Sequence, residues 1–161
     1  MPGLQAFEKH LIRDGILDDT QLDRAQTEVA KKGLSLLEVI PQMGYATDEA
    51  LYRSLADFCE MRFVVPSREN IPESIAETVP ARYVTHYGFV PIQERNGTLV
   101  IAITDPLDSH LQDDIRMVLK KRIEPVVATP DEVKKAIKAL YGVGADTMEK
   151  ILIKEELEGA V

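Results

Sequence analysis

The sequence predicts an α+β chain: an N-terminal tandem helix-turn-helix subdomain of four helices, followed by a small α/β subdomain. The three-stranded mixed sheet of the latter combines a hairpin with one parallel crossover. Three observations carry this prediction. Phe7 to Gln26 and Leu36 to Leu55 share an ungapped frame in which an apolar helix face meets a glycine and a capped second helix follows; the anchoring Gly15 and Gly44 stand 29 residues apart. Asn96-Gly97 separates two β-rich runs and supplies the positive φ angles of a tight hairpin turn. The strand, helix, strand order from Leu99 to Val127 then requires a right-handed parallel connection.

The elements follow in order. Leu4, Phe7, Leu11 and Ile12 keep helical spacing until Gly15 stops the helix. Asp18 with Gln21 reads as a capping box opening a helix through Leu22, Ala25 and Val29, which Lys31-Lys32-Gly33 ends. Leu36, Val39 and Ile40 form the third helix, which Pro41 should kink or break by removing a backbone donor and crowding the carbonyl of Leu37. Thr47 caps the fourth, with Leu51, Leu55 and Phe58 on one face. From Phe63 the pattern changes. Residues 1–62 are expected as the helical repeat, 63–72 as a hinge, 73–142 as the α/β subdomain and 143–161 as a tail or linker helix.

Pro72 and Pro80 each open a short helix, the second ending at Gly88. Phe89 to Glu94 and Thr98 to Thr104 are the hairpin strands, Leu111, Ile115, Val118 and Leu119 mark the crossover helix, and Ile123 to Ala128 is a buried strand. Thr129-Pro130-Asp131-Glu132 reads as a capping box whose helix reaches Leu140 or Tyr141.

At 161 residues and 45% hydrophobic content the chain can bury a real core. Its net charge of −8 argues against nucleic acid or anionic membrane as a partner, because phosphate surfaces want clustered cations. Lys120, Lys121 and Arg122, with Lys134, Lys135 and Lys138, read as solvated faces. The single cysteine, Cys59, excludes a disulfide within the chain and a cysteine zinc site, and is expected as a buried structural residue. No run reaches the ~18 apolar residues of a membrane span, and Met1 to Arg13 does not resemble a signal peptide, so the expected location is cytoplasmic.

Catalytic chemistry finds no support. Gly142-Val143-Gly144-Ala145 lacks the preceding strand and the Lys-Ser/Thr of a phosphate loop. Asp105, Asp108, His110, Asp113 and Asp114 are the densest set of metal-ligand types, but Asp105 and Asp108 sit where a strand gives way to a helix and are expected to cap backbone donors. His10 and His86 have no sequence neighbour to complete a triad. Catalytic, cofactor and metal sites are therefore expected to be absent.

Phe7 to Tyr141 resembles the N-terminal domain of the secretion and pilus assembly ATPases, the GspE and PilB family, also called the MshEN domain. The resemblance rests on the tandem frame together with Ile71-Pro72-Glu73, Val79-Pro80-Ala81-Arg82-Tyr83, Phe89-Val90-Pro91-Ile92, Thr98 to Thr104 running into Asp105-Pro106-Leu107-Asp108, Asp114-Ile115-Arg116, Glu124-Pro125-Val126-Val127 and Ala136 to Tyr141. It implies a non-catalytic module of a type II secretion or type IV pilus assembly ATPase. The module would join an ATPase domain, in cis or in trans, to the cytoplasmic part of a GspL-like inner-membrane platform protein.

Some members of the family bind cyclic di-GMP through an Arg, a Gly and a Gln in each repeat. Here those places hold Ala6, Glu8 and Val29 in the first repeat and Ser35, Leu37 and Phe58 in the second, so cyclic di-GMP is the disfavoured alternative. Val29, Leu37 and Phe58 are the candidate partner-binding residues. They are expected either to close the former ligand groove as core or to face a partner helix.

Overall fold

In the computed structural model, which describes residues 2–142, the chain divides into two units, Met1–Met61 and a second beginning at Arg62. The first holds four helices, α1 (Pro2–Arg13), α2 (Asp19–Lys32), α3 (Leu36–Gln42) and α4 (Asp48–Phe58). Both repeats stop their first helix as expected, with Gly15 at φ +73° and Gly44 at φ +74°. A side chain at this left-handed geometry would cost about 1–2 kcal/mol. The Asp18 carboxylate accepts from Gln21 N–H at 2.7 Å while Gln21 Oε1 accepts from Asp18 N–H at 3.0 Å, so the capping box is complete. Thr47 caps α4 through Ala50 N–H at 3.1 Å.

Two local features of this unit extend the sequence reading. Ser35 and Glu38 form a second reciprocal box at the start of α3. Pro41 lies inside α3, which ends one residue later at Gln42, consistent with the donor it removes. The core is Phe7, Leu11, Leu17, Ala25, Leu36, Val39, Ile40, Leu51 and Leu55, all buried. Cys59 differs from expectation: it is half-buried just past α4, where Glu60 turns left-handed at φ +56° and ends the buried face.

The second unit contains α5 (Ile75–Thr78), α6 (Ala81–Tyr87), β1 (Val90–Arg95), β2 (Thr98–Ile103), α7 (Ser109–Leu119), β3 (Arg122–Val127) and α8 (Pro130–Tyr141). The sheet order is β1-β2-β3, antiparallel between the first pair and parallel between the second, as the hairpin and crossover require. Asn96 and Gly97 have φ +51° and +79°. The central strand β2 has no proline and is buried from Leu99 to Ile103; each edge strand carries one, Pro91 in β1 beside a bulge and Pro125 in β3. Proline tolerates an edge because it can face away from the ladder.

The stretch expected as a hinge is engaged by this second unit. Phe63 bridges Val127 in parallel, Val64 N–H donates to Val127 O and Val127 N–H to Arg62 O, both at 2.8 Å. Pro66–Arg68 forms a 3-10 turn against α8. Thr129 caps α8 through Glu132 N–H at 3.3 Å, but the expected reciprocal bond is absent from the box: Glu132 Oε2 instead accepts from Ser67 N–H at 3.1 Å, spending the acid on the incoming chain. The expected tail or linker helix, 143–161, lies outside the described residues.

Candidate functional site

Of the six positions that the resemblance singles out, five fall on the four helices of the first unit and Ser35 caps one of them. Ala6 on α1 is exposed. Glu8, two residues on, accepts a hydrogen bond from Gln26 Nε2 of α2 at 3.1 Å and so ties the two helices of its repeat. Ser35 is the N-cap of α3, its hydroxyl committed to Glu38 N–H at 3.3 Å. The remaining three are apolar. Val29 and Leu37 belong to the packed pair α2 and α3, whereas Phe58 belongs to α1 and α4, its ring centroid 5.5 Å from that of Phe7 and 5.4 Å from that of His10. All three are half-buried.

Beside Phe58 lies a polar cluster that sequence spacing showed only in part. His10 and Asp14 are four apart on α1, and His10 Nε2 stands 3.1 Å from Asp14 Oδ2 without the alignment of a hydrogen bond. The same Oδ2 accepts from Ser54 Oγ of α4 at 2.8 Å. The i,i+4 spacing of His10 and Asp14 is the one local signal of this cluster; Ser54 lies forty residues from Asp14 and carries none. Asp14 stands between the serine and the histidine, so the proton-relay order of a nucleophilic triad is not formed. The arrangement acts as a strut between α1 and α4.

The carboxylates of the second unit behave as caps. Asp108 Oδ1 accepts from Leu111 N–H at 3.1 Å at the start of α7. Asp105 is exposed by surface area, yet partial desolvation, and after it the charge of Asp108, pushes its carboxyl above the ordinary value, against backbone hydrogen bonds from Leu107 and Asp108. His110 and Asp114 are exposed. Among the described residues, no group of three or more His, Cys, Asp and Glu is placed to hold a metal ion. Tyr141 is half-buried at the end of α8, its hydroxyl donating to Val79 O at 2.7 Å, and His86 packs edge-on against Tyr87 at 4.6 Å.

The MshEN domain matches residues 55–147, more than half of the chain. The chain belongs to the MshEN domain family. Type IV pilus assembly ATPase PilB of Myxococcus xanthus is 26% identical over 146 residues, covering 88% of this chain and 25% of that protein. Type II secretion system protein E of Xanthomonas campestris pv. campestris is 26% identical over 140 residues, covering 84% and 25%. This MshEN domain thus spans about a quarter of the curated relatives it matches. Among solved structures, MshE with cdg aligns at TM-score 0.76 with 21% identity, covering 84% of this chain and 98% of that one. The N-terminal domain of XpsE aligns at 0.67 with 22% identity, covering 84% and 94%. At such identities the structural likeness establishes the fold, a helical unit with the same kind of small mixed sheet. It is the type of domain found in the type II secretion and type IV pilus assembly ATPases, and not the catalytic ATPase domain itself.

Proposed function

We propose that this MshEN domain is a non-catalytic docking module, joining an ATPase domain in cis or in trans to the cytoplasmic part of a GspL-like protein of the inner-membrane platform. The observation that carries the reading is the state of the six repeat positions. Ser35 is spent as a cap, Glu8 is an acid held by Gln26, and Val29, Leu37 and Phe58 are apolar side chains only half covered. Such residues favour an apolar protein surface over a phosphate. No helix among the described residues is long and apolar enough to cross a membrane, and a net charge of −8 disfavours nucleic acid, so recruitment to the membrane face would run through the protein partner.

The test is Leu37→Asp against a purified GspL-type cytoplasmic domain. Binding should fall by about tenfold or more while the far-UV circular dichroism and melting temperature stay near wild type. An unfolded variant would instead place Leu37 in the core and sink the assignment. The second reading, cyclic di-GMP sensing, draws on the likeness to MshE with cdg. Against it stands the loss of both cations: a charge-assisted contact is worth about 1.5–3 kcal/mol, so two together cost about two to four orders of magnitude in affinity. Titration calorimetry with cyclic di-GMP separates the two readings, and micromolar or tighter binding would reverse our preference.

A further inference from the structure

A β-bulge sorts the charges of the hairpin between the two faces of the sheet. Val90 and Pro91 pair with Ala102 and Ile101, but the register then slips by one residue, and Gln93, Glu94 and Arg95 pair with Val100, Leu99 and Thr98. Unbroken pairing would set Glu94 opposite Thr98. With the slip, Arg95 takes that place and Glu94 moves to the other face, where it pairs with Lys121 at 3.4 Å. Bulges re-aim side chains in this way.

Thr98 in turn pairs with Arg122 of β3. Directly opposed residues project from the same face of a sheet, so Arg95, Thr98 and Arg122 form one rung in which two cations flank a hydroxyl. Both arginines are exposed and Thr98 is half-buried. With its amide oxygen turned toward Arg95, Gln93 accepts from the guanidinium Nη2 and from Nε, the latter at 2.9 Å. A neutral acceptor of this kind orients the guanidinium without cancelling its charge. Among the described residues neither arginine has an ion-pair partner. The carboxylate on this face is Glu124, one rung away beside Val100.

The two arginines stand two strand spacings apart, about 10 Å. Carboxylates two residues apart on an extended segment are separated by about 7 Å, within side-chain reach of both guanidiniums, whose forks match carboxylate geometry. A nucleic acid or an anionic membrane would instead bring extended negative charge against a chain of net charge −8 and be repelled outside this rung. We propose that the Arg95-Thr98-Arg122 rung docks a short acidic segment of a partner protein, one carboxylate to each arginine. This surface lies on the second unit and does not rest on the reading of the six repeat positions.

Titrating a hexaglutamate peptide into the isotope-labelled 161-residue chain at low ionic strength tests this by amide chemical shifts. The shifts should centre on Arg95, Thr98 and Arg122, and added salt should weaken binding. Glu94→Arg with Arg95→Glu keeps the net charge but returns an acid to the rung, and should weaken binding about tenfold or more. Arg122→Gln, on the neighbouring strand and at an exposed position, should also weaken binding, with the melting temperature kept. An affinity unchanged by the charge swap, or shifts that spare the rung, would overturn the proposal. So would an equal response of the same amides to inorganic phosphate or to vesicles containing phosphatidylglycerol, or shifts that grow with protein concentration alone, the mark of a second copy.

Discussion

Ser54→Ala probes the strut between α1 and α4, and its cost can be worked from the geometry. The substitution deletes a hydroxyl that is 4% exposed and donates at 2.8 Å to Asp14. A hydrogen bond to a charged group contributes about 1.5–3 kcal/mol, but the Asp14 side chain is 37% exposed and water can replace the lost donor. The expected loss is therefore at the low end, about 1–1.5 kcal/mol. Asp14→Ala removes the acceptor instead and strands a buried hydroxyl, which costs about 1–3 kcal/mol. Because one contact is shared, the double variant should lose less than the sum, with a coupling of about 1 kcal/mol. Urea unfolding followed by circular dichroism gives the free energies. Hydrogen exchange of α1 and α4 amides locates the loss in the first unit. Strictly additive losses, or a Ser54→Ala effect within about 0.3 kcal/mol of zero, would show that Asp14 and Ser54 meet without stabilising the helix pair.

Two further outcomes concern the second unit and depend on pH. The Asp105 carboxyl is raised, so its favourable contribution is complete only below the ordinary value of 3.8 and is lost as pH rises through the folded value. Asp105→Asn, whose amide oxygen can still accept from the backbone, should match or exceed the wild-type melting temperature at pH 7, and the advantage should vanish in acid; a lower melting temperature at pH 7 would contradict the burial argument. Burial pushes the Tyr141 hydroxyl up to about 12, so the folded state keeps a proton that the unfolded chain gives up near 10, and stability should fall between those values. Tyr141→Phe should flatten that alkaline decline while losing about 1 kcal/mol at neutral pH with the bond to Val79, and an unchanged alkaline slope in a denaturation series would refute the assignment.

What the sequence made legible was mostly local. Asp18 with Gln21, Thr47 with Ala50, and Asn96-Gly97 each set their geometry within four residues, and the structure forms all three. The Ser35 and Glu38 box carries the same three-residue signature. Longer-range choices were hidden for a physical reason: side chains with equivalent local options were decided by tertiary neighbours. Glu132 left its expected cap for Ser67, sixty-five residues away. Phe63 and Val64, expected at the start of the hinge, find a ladder partner in the distant Val127. For the candidate site, the family resemblance singled out the six positions. It could not tell that Val29 and Leu37 lie on one helix pair and Phe58 on the other, because the repeat frame makes the two look equivalent.

The prolines at the two margins of the sheet limit how a partner can attach. A polypeptide that joins a sheet needs an unbroken row of backbone donors and acceptors; Pro125 removes a donor from β3, and Pro91 with its bulge interrupts β1. Both prolines thus disfavour strand addition, and at Val127 the margin of β3 is already taken by the Arg62 to Val64 backbone. On the docking reading, a partner would be met by side chains on helices and loops rather than by an added strand.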